Sequence, residues 1–129
     1  MAAHAVCLFV AGVLRATVPA DDFMLAWQHS VQKTQWEERY AVEDEGLRLF
    51  EARVQGSGAG MEAGDAAVLR NGWWTWQPDI RIAALILSAS HYTPDYLICT
   101  ARRCQTLRDI VGGASTAEDP VTLRACSPQ

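Results

Sequence analysis

Three side chains able to hold a metal or move protons fall at strand-compatible positions: His29, Glu38 and Glu51. An imidazole with two carboxylates can ligate zinc or iron, or act as acid and base. Whether they meet depends on strand register. Phe23 to Val31 alternates, with Phe23, Leu25, Trp27, His29 and Val31 on one face. Trp36 to Val42 alternates again, carrying Trp36, Glu38, Tyr40 and Val42 together, and Leu47 to Gln55 groups Leu47, Leu49, Glu51 and Arg53. Such period-two runs read as antiparallel strands.

A four-residue link, Gln32 to Gln35, pairs Val31 with Trp36, His29 with Glu38 and Trp27 with Tyr40. The link Glu43 to Gly46 pairs Val42 with Leu47, Tyr40 with Leu49, Glu38 with Glu51 and Trp36 with Arg53. Directly opposed residues have Cβ atoms roughly 4.5–5.5 Å apart, so His29, Glu38 and Glu51 are expected in one row on an otherwise apolar face. A one-residue slip would send them to opposite sides. Adjacent carboxylates repel, so one holds its proton unless His29, Arg53 or a divalent metal supplies positive charge. The row is either a ligand or metal pocket or a buried ion-pair network that fixes register. Gly56-Ser57-Gly58-Ala59-Gly60-Met61 is a loop at its rim, placing Ser57 and Gly58 beside it. As an anion cradle that loop is weak, because no helix follows it. No nucleophile is paired with a base.

Strands dominate the rest of the chain. Ala66 to Leu69 ends at the turn signal Asn71-Gly72, followed by the aromatic strand Trp73 to Trp76. Ile80 to Ser88, Tyr96 to Thr100 and Val121 to Cys126 read as strands, and Leu107 to Ile110 as a helical turn. Trp73, Trp74 and Trp76 are expected to be mainly core, with one exposed partner able to stack on a ligand. Glu37 and Arg39 point to solvent, and His91 lies at the surface between strands. The fold expected is all-β: one domain over residues 1–129, an antiparallel barrel or sandwich of about eight strands.

The chain of 129 residues carries a net charge of −4, and its 11 basic residues are scattered. Phosphate binding needs concentrated Lys and Arg, so nucleic acid is not an expected partner. Ala5 to Leu14 is an apolar run too short to span a bilayer, and no other segment could cross one. It reads as a first strand, with a signal-like segment over residues 1–20 as the alternative. Cys99 and Cys104 could close a hairpin and Cys7 with Cys126 could tie the ends. Both pairings suit an oxidising compartment.

The motifs His29-Ser30-Val31, Trp36-Glu37-Glu38, Glu51-Ala52-Arg53, the Gly56 to Met61 loop and Asn71-Gly72-Trp73-Trp74 together resemble one bacterial family, the domain of unknown function numbered 1850. The resemblance continues through Leu97-Ile98-Cys99 and Pro120-Val121-Thr122-Leu123. The family pattern is H-S-V-E-K-T followed by a glutamate doublet. Gln32 departs from it, so a carboxylate there is not required, while His29 and Glu38 remain. Members resemble companions of tripartite ATP-independent periplasmic (TRAP) transporters of the TAXI type, judged by genetic neighbourhood. The resemblance therefore implies a partner in such a transporter or its solute-binding component, and an extracytoplasmic setting. Residues and resemblance together point to a non-enzymatic small-molecule or ion-binding accessory protein, its pocket lined by His29, Glu38, Glu51 and Arg53. The alternatives are a metal-dependent hydrolase with His29, Glu38 and Glu51 as ligands, and a structural adaptor that binds a protein near Trp73.

Overall fold

The computed structural model describes residues 2–28, 34–56, 67–88, 95–112 and 119–127. Twelve strands and one short helix fill them: β1 (Ala5–Val10), β2 (Val13–Pro19), β3 (Asp22–Gln28), β4 (Gln35–Glu43), β5 (Gly46–Gln55), β6 (Val68–Arg70), β7 (Trp73–Trp76), β8 (Ile80–Ile82), β9 (Leu85–Leu87), β10 (Leu97–Cys99), β11 (Cys104–Thr106), α1 (Leu107–Val111) and β12 (Val121–Cys126). All pairings are antiparallel. One sheet runs β2-β1-β12-β9 and the other β11-β10-β3-β4-β5-β7-β6, with β8 also on β5. The result is an all-β sandwich, and among the described residues no closed barrel forms.

Alternation explains the core. Val6, Leu8 and Val10 of β1 and Val121 and Leu123 of β12 face Phe23, Leu25, Tyr40, Val42 and Leu47 across the sheets. Leu8, Leu25, Leu47 and Leu123 are almost fully buried, each such side chain contributing roughly 1.5–3 kcal/mol.

The apolar run at the start is not one strand. It reverses at Ala11 and Gly12, which take φ of 51° and 80°, and forms the β1–β2 hairpin. Ile80 to Ser88 also divides. β8 pairs with β5, whereas β9 joins β12 in the other sheet, so the chain changes sheets at Ala83 and Ala84. Asn71 and Gly72 adopt φ of 52° and 84°, the left-handed pair that a two-residue hairpin turn requires.

Cys7 is bonded to Cys126, stapling β1 to β12, and Cys99 is bonded to Cys104 across the β10–β11 hairpin. Among the described residues, no helix is long and apolar enough to cross a membrane.

Candidate functional site

The expected row does not form, for two separate reasons. In the β3–β4 hairpin Trp27 pairs with Trp36, Leu25 with Glu38 and Phe23 with Tyr40. The last pair is Gln28 with Gln35, so the connection is six residues rather than four, and His29 lies outside the described residues. This register sets aromatic against aromatic. Trp27 and Trp36 stack with ring centroids 6.0 Å apart, and Phe23 and Tyr40 at 5.3 Å. Each such pair is worth about 0.5–1.5 kcal/mol beyond its burial.

The second reason is a β-bulge. The β4–β5 hairpin starts as expected, with Val42 opposite Leu47 and Tyr40 opposite Leu49. Phe50 is then left unpaired, and Arg39 faces Glu51, Glu38 faces Ala52, Glu37 faces Arg53 and Trp36 faces Val54. One extra residue reverses which side chains point inward. Ala52 and Val54 become 2% and 0% exposed, while Glu51 and Arg53 turn to the outer face. Glu38 and Glu51 therefore lie on opposite sides of the sheet and cannot bind one ion together. The two carboxylates of the expected His29, Glu38 and Glu51 set are thus separated, while His29 lies outside the described residues. Among the described residues no three His, Cys, Asp or Glu side chains group around a possible metal position. Ser57 and Gly58, like His91, lie outside the described residues.

Glu38 stays on the inner face with a different partner. Tyr40 donates its hydroxyl to Glu38 Oε1 at 2.6 Å. Burial holds the Glu38 carboxyl above the usual range, and the Tyr40 hydrogen bond partly counters that shift. The Tyr40 hydroxyl is itself pushed upward, first by burial and then by Glu38. Tyr96 is raised by burial and by the negative charges of Glu38 and Asp95, and its ring tilts against Trp27 at 6.1 Å. Along the same inner face, Trp36, Val54 and Trp74 form a row by register. Both indole N–H groups in that row are buried without a hydrogen-bond partner among the described residues.

The outer face carries the charges. Arg53 donates from Nε to Glu37 Oε1 at 2.6 Å, and Arg39 Nε sits 3.1 Å from Glu51 Oε1. The Arg53 guanidinium also lies over the Trp73 ring, 4.1 Å from its centroid, the distance of a cation–π contact. Trp73 and Thr75 share this face because they pair with Gln55 and Arg53 on β5. The β6–β7 hairpin then brings Arg70 opposite Trp73 and Val68 opposite Thr75. Together they bound a concavity of about 560 Å³ that also reaches Glu51, Asn71 and Gln77. Two residues expected at the site, Glu51 and Arg53, thus come together here, on the face opposite Glu38. Arg70, Thr75 and Gln77 were not anticipated. Their signal was the Asn71-Gly72 turn, which folds β6 back onto the Trp73 strand.

The comparisons with known proteins bear on this arrangement only through family. No curated protein and no solved structure matches the chain. The model of a family described as a domain of unknown function (DUF1850) matches residues 23–107, which span β3 to the start of α1 and include both faces just described. That match covers well over half of the 129 residues, and the chain belongs to the DUF1850 family.

Proposed function

We propose that this chain is a non-enzymatic accessory protein that binds a small organic anion in the outer concavity of β5, β7 and β6. One observation carries the reading: Arg53 and Arg70 flank Trp73 in a space of about 560 Å³, within the range of about 300–1,000 Å³ that suits small molecules. Arg53 is neutralised by Glu37, and Glu51 by Arg39. Arg70 is exposed and has no carboxylate partner among the described residues, so it supplies the uncompensated positive charge. Trp73 offers an apolar surface, and Asn71, Thr75 and Gln77 offer donors and acceptors for hydroxyl or amide groups. A catalytic reading finds less support, because among the described residues the outer face presents no nucleophile paired with a base.

Partnership with a solute transporter of the TAXI type is the second part of the proposal, and it rests on the family resemblance. Two disulfides support an extracytoplasmic setting, where such bonds form and persist.

The test is a thermal-shift and calorimetric screen against small mono- and dicarboxylates. At least one acid is expected to raise the melting temperature, and Arg70→Ala and Trp73→Ala should each weaken its binding roughly tenfold while leaving the fold intact. If no acid stabilises the protein, or if both variants bind like the parent, the concavity is not the ligand site.

A further inference from the structure

We propose that the β10–β11 hairpin is a pre-organised basic finger that docks on an acidic segment of a partner protein. Its tip is Thr100-Ala101-Arg102-Arg103, between the bonded Cys99 and Cys104. Residues 97–108 hold three arginines, Arg102, Arg103 and Arg108, and no acidic residue, in a chain whose net charge is −4. All three are exposed, and none has an ion-pair partner among the described residues. By contrast Arg39, Arg48, Arg53 and Arg81 each pair with a carboxylate. These guanidinium groups are thus free to pair with a partner's carboxylates, although Asp21 and Asp22 line the same concavity as Arg102 and Asp109 follows Arg108.

The turn is built in a way that local stability does not explain. It contains none of the Gly, Pro, Asn or Asp residues that favour tight reversals. Geometry is instead imposed three times over. Cys99 and Cys104 face each other in the ladder, Thr100 N–H donates to the Arg103 carbonyl at 2.9 Å, and Arg102 N–H donates to Thr100 Oγ1 at 3.2 Å. A disulfide between residues 5 apart in sequence constrains the unfolded chain far less than the Cys7–Cys126 bond does. Its main consequence is local: it fixes the backbone from which two adjacent guanidinium groups project. Fixing a recognition element before it binds removes an ordering cost from association, and guanidinium forks bind carboxylates with two parallel hydrogen bonds.

An acidic protein segment fits this lobe better than an anionic membrane. Polybasic segments that hold proteins on lipid use clusters of about four to eight basic residues. The finger has fewer, and its tip carries only Thr100 and Ala101 besides the arginines, with no large apolar side chain to enter a bilayer. The proposal is independent of the ligand concavity, since β10 and β11 lie at the opposite end of the sheet from β6.

The experiment is fluorescence anisotropy of a labelled Glu-rich peptide with the full oxidised chain at low salt, beside sedimentation with phosphatidylglycerol vesicles. The parent chain is expected to bind the peptide with an affinity that falls as salt rises. The Arg102→Ala/Arg103→Ala variant should lose roughly tenfold or more. The Cys99→Ser/Cys104→Ser variant, which keeps the Cys7–Cys126 bond, should still melt cooperatively yet bind several-fold more weakly. The proposal is overturned if the parent does not bind the peptide or if the arginine variant binds equally well. Binding to vesicles but not to peptide also overturns it, in favour of a membrane contact.

Discussion

The two disulfides differ sharply in what their loss should cost, and the difference follows from chain length alone. Cys7 and Cys126 are 119 residues apart, whereas Cys99 and Cys104 are 5 apart. Closing a loop of the first kind lowers the entropy of the unfolded chain by the equivalent of about 5 kcal/mol at 25 °C, and the second by about 2 kcal/mol. The perturbation is the paired replacement Cys7→Ala/Cys126→Ala, set against Cys99→Ala/Cys104→Ala. Stability would be measured by urea titration followed by tryptophan fluorescence and far-ultraviolet circular dichroism. For a domain of this size about 3–4 °C of melting temperature accompanies each kcal/mol. The first variant should thus melt about 15–20 °C below the parent and the second about 6–8 °C below. The urea slope should steepen more in the first, because its unfolded chain expands further. Equal losses, or a loss below about 1 kcal/mol for Cys7→Ala/Cys126→Ala, would show that loop closure does not set the stabilisation.

Two further expectations concern titration. Glu38 is raised above its ordinary value by burial, so its neutral form fits the fold better than its anion; the corresponding stability is full below the unfolded value near 4.5 and is lost as pH rises through the folded one. Glu38→Gln, which keeps an acceptor for Tyr40, should therefore match the parent at low pH in chemical denaturation and equal or exceed it at neutral pH. His4 accepts the opposite partners. Its Nδ1 lies 3.1 Å from Asp21 and its Nε2 2.9 Å from Asp44, joining the start of β1 to the turns that precede β3 and β5. Hydrogen bonds to Asp21 and then Asp44 raise its pKa, while the hydrogen bond with His4 lowers that of Asp21. The His4 contribution is present below its unfolded value of 6.5 and disappears as pH rises through the folded value. The Asp21 contribution is present above 3.8 and disappears as pH falls through the depressed one. A melting series should show His4→Ala furthest below the parent between those limits, with the gap closing in alkali.

The strands themselves were legible because β3, β4, β5 and β7 are rich in aromatic and aliphatic residues with much period-two alternation and Asn71-Gly72 dictates its own turn. The bulge at Phe50 was not, since a local period-two reading continues through it without interruption. A cross-strand signal was nevertheless present. The uninterrupted register sets Glu38 against Glu51 and Trp36 against Arg53, a like-charge contact and a buried cation. Sliding β5 by one residue from Phe50 onward sets Arg39 against Glu51 and Glu37 against Arg53, and buries Ala52 and Val54 instead. Weighing charge pairs together with alternation would have placed Glu51 and Arg53 on the outer face. The β3–β4 register depended on the Trp27–Trp36 and Phe23–Tyr40 stacks, because the link alone permits several lengths. The division of Ile80 to Ser88 between two sheets had no local mark, since Ala83 and Ala84 continue an apolar run.

Tryptophan side-chain signals offer the most direct measurement. Indole N–H resonances in a nitrogen-15 spectrum, assigned by single Trp→Phe replacements, report separately on Trp73 outside the sheet and on Trp36 and Trp74 inside it. Titration with the stabilising carboxylate should move the Trp73 resonance in a saturable way and leave the Trp36 and Trp74 resonances in place. Saturable shifts confined to Trp36 and Trp74 would contradict the account and transfer binding to the Glu38 face.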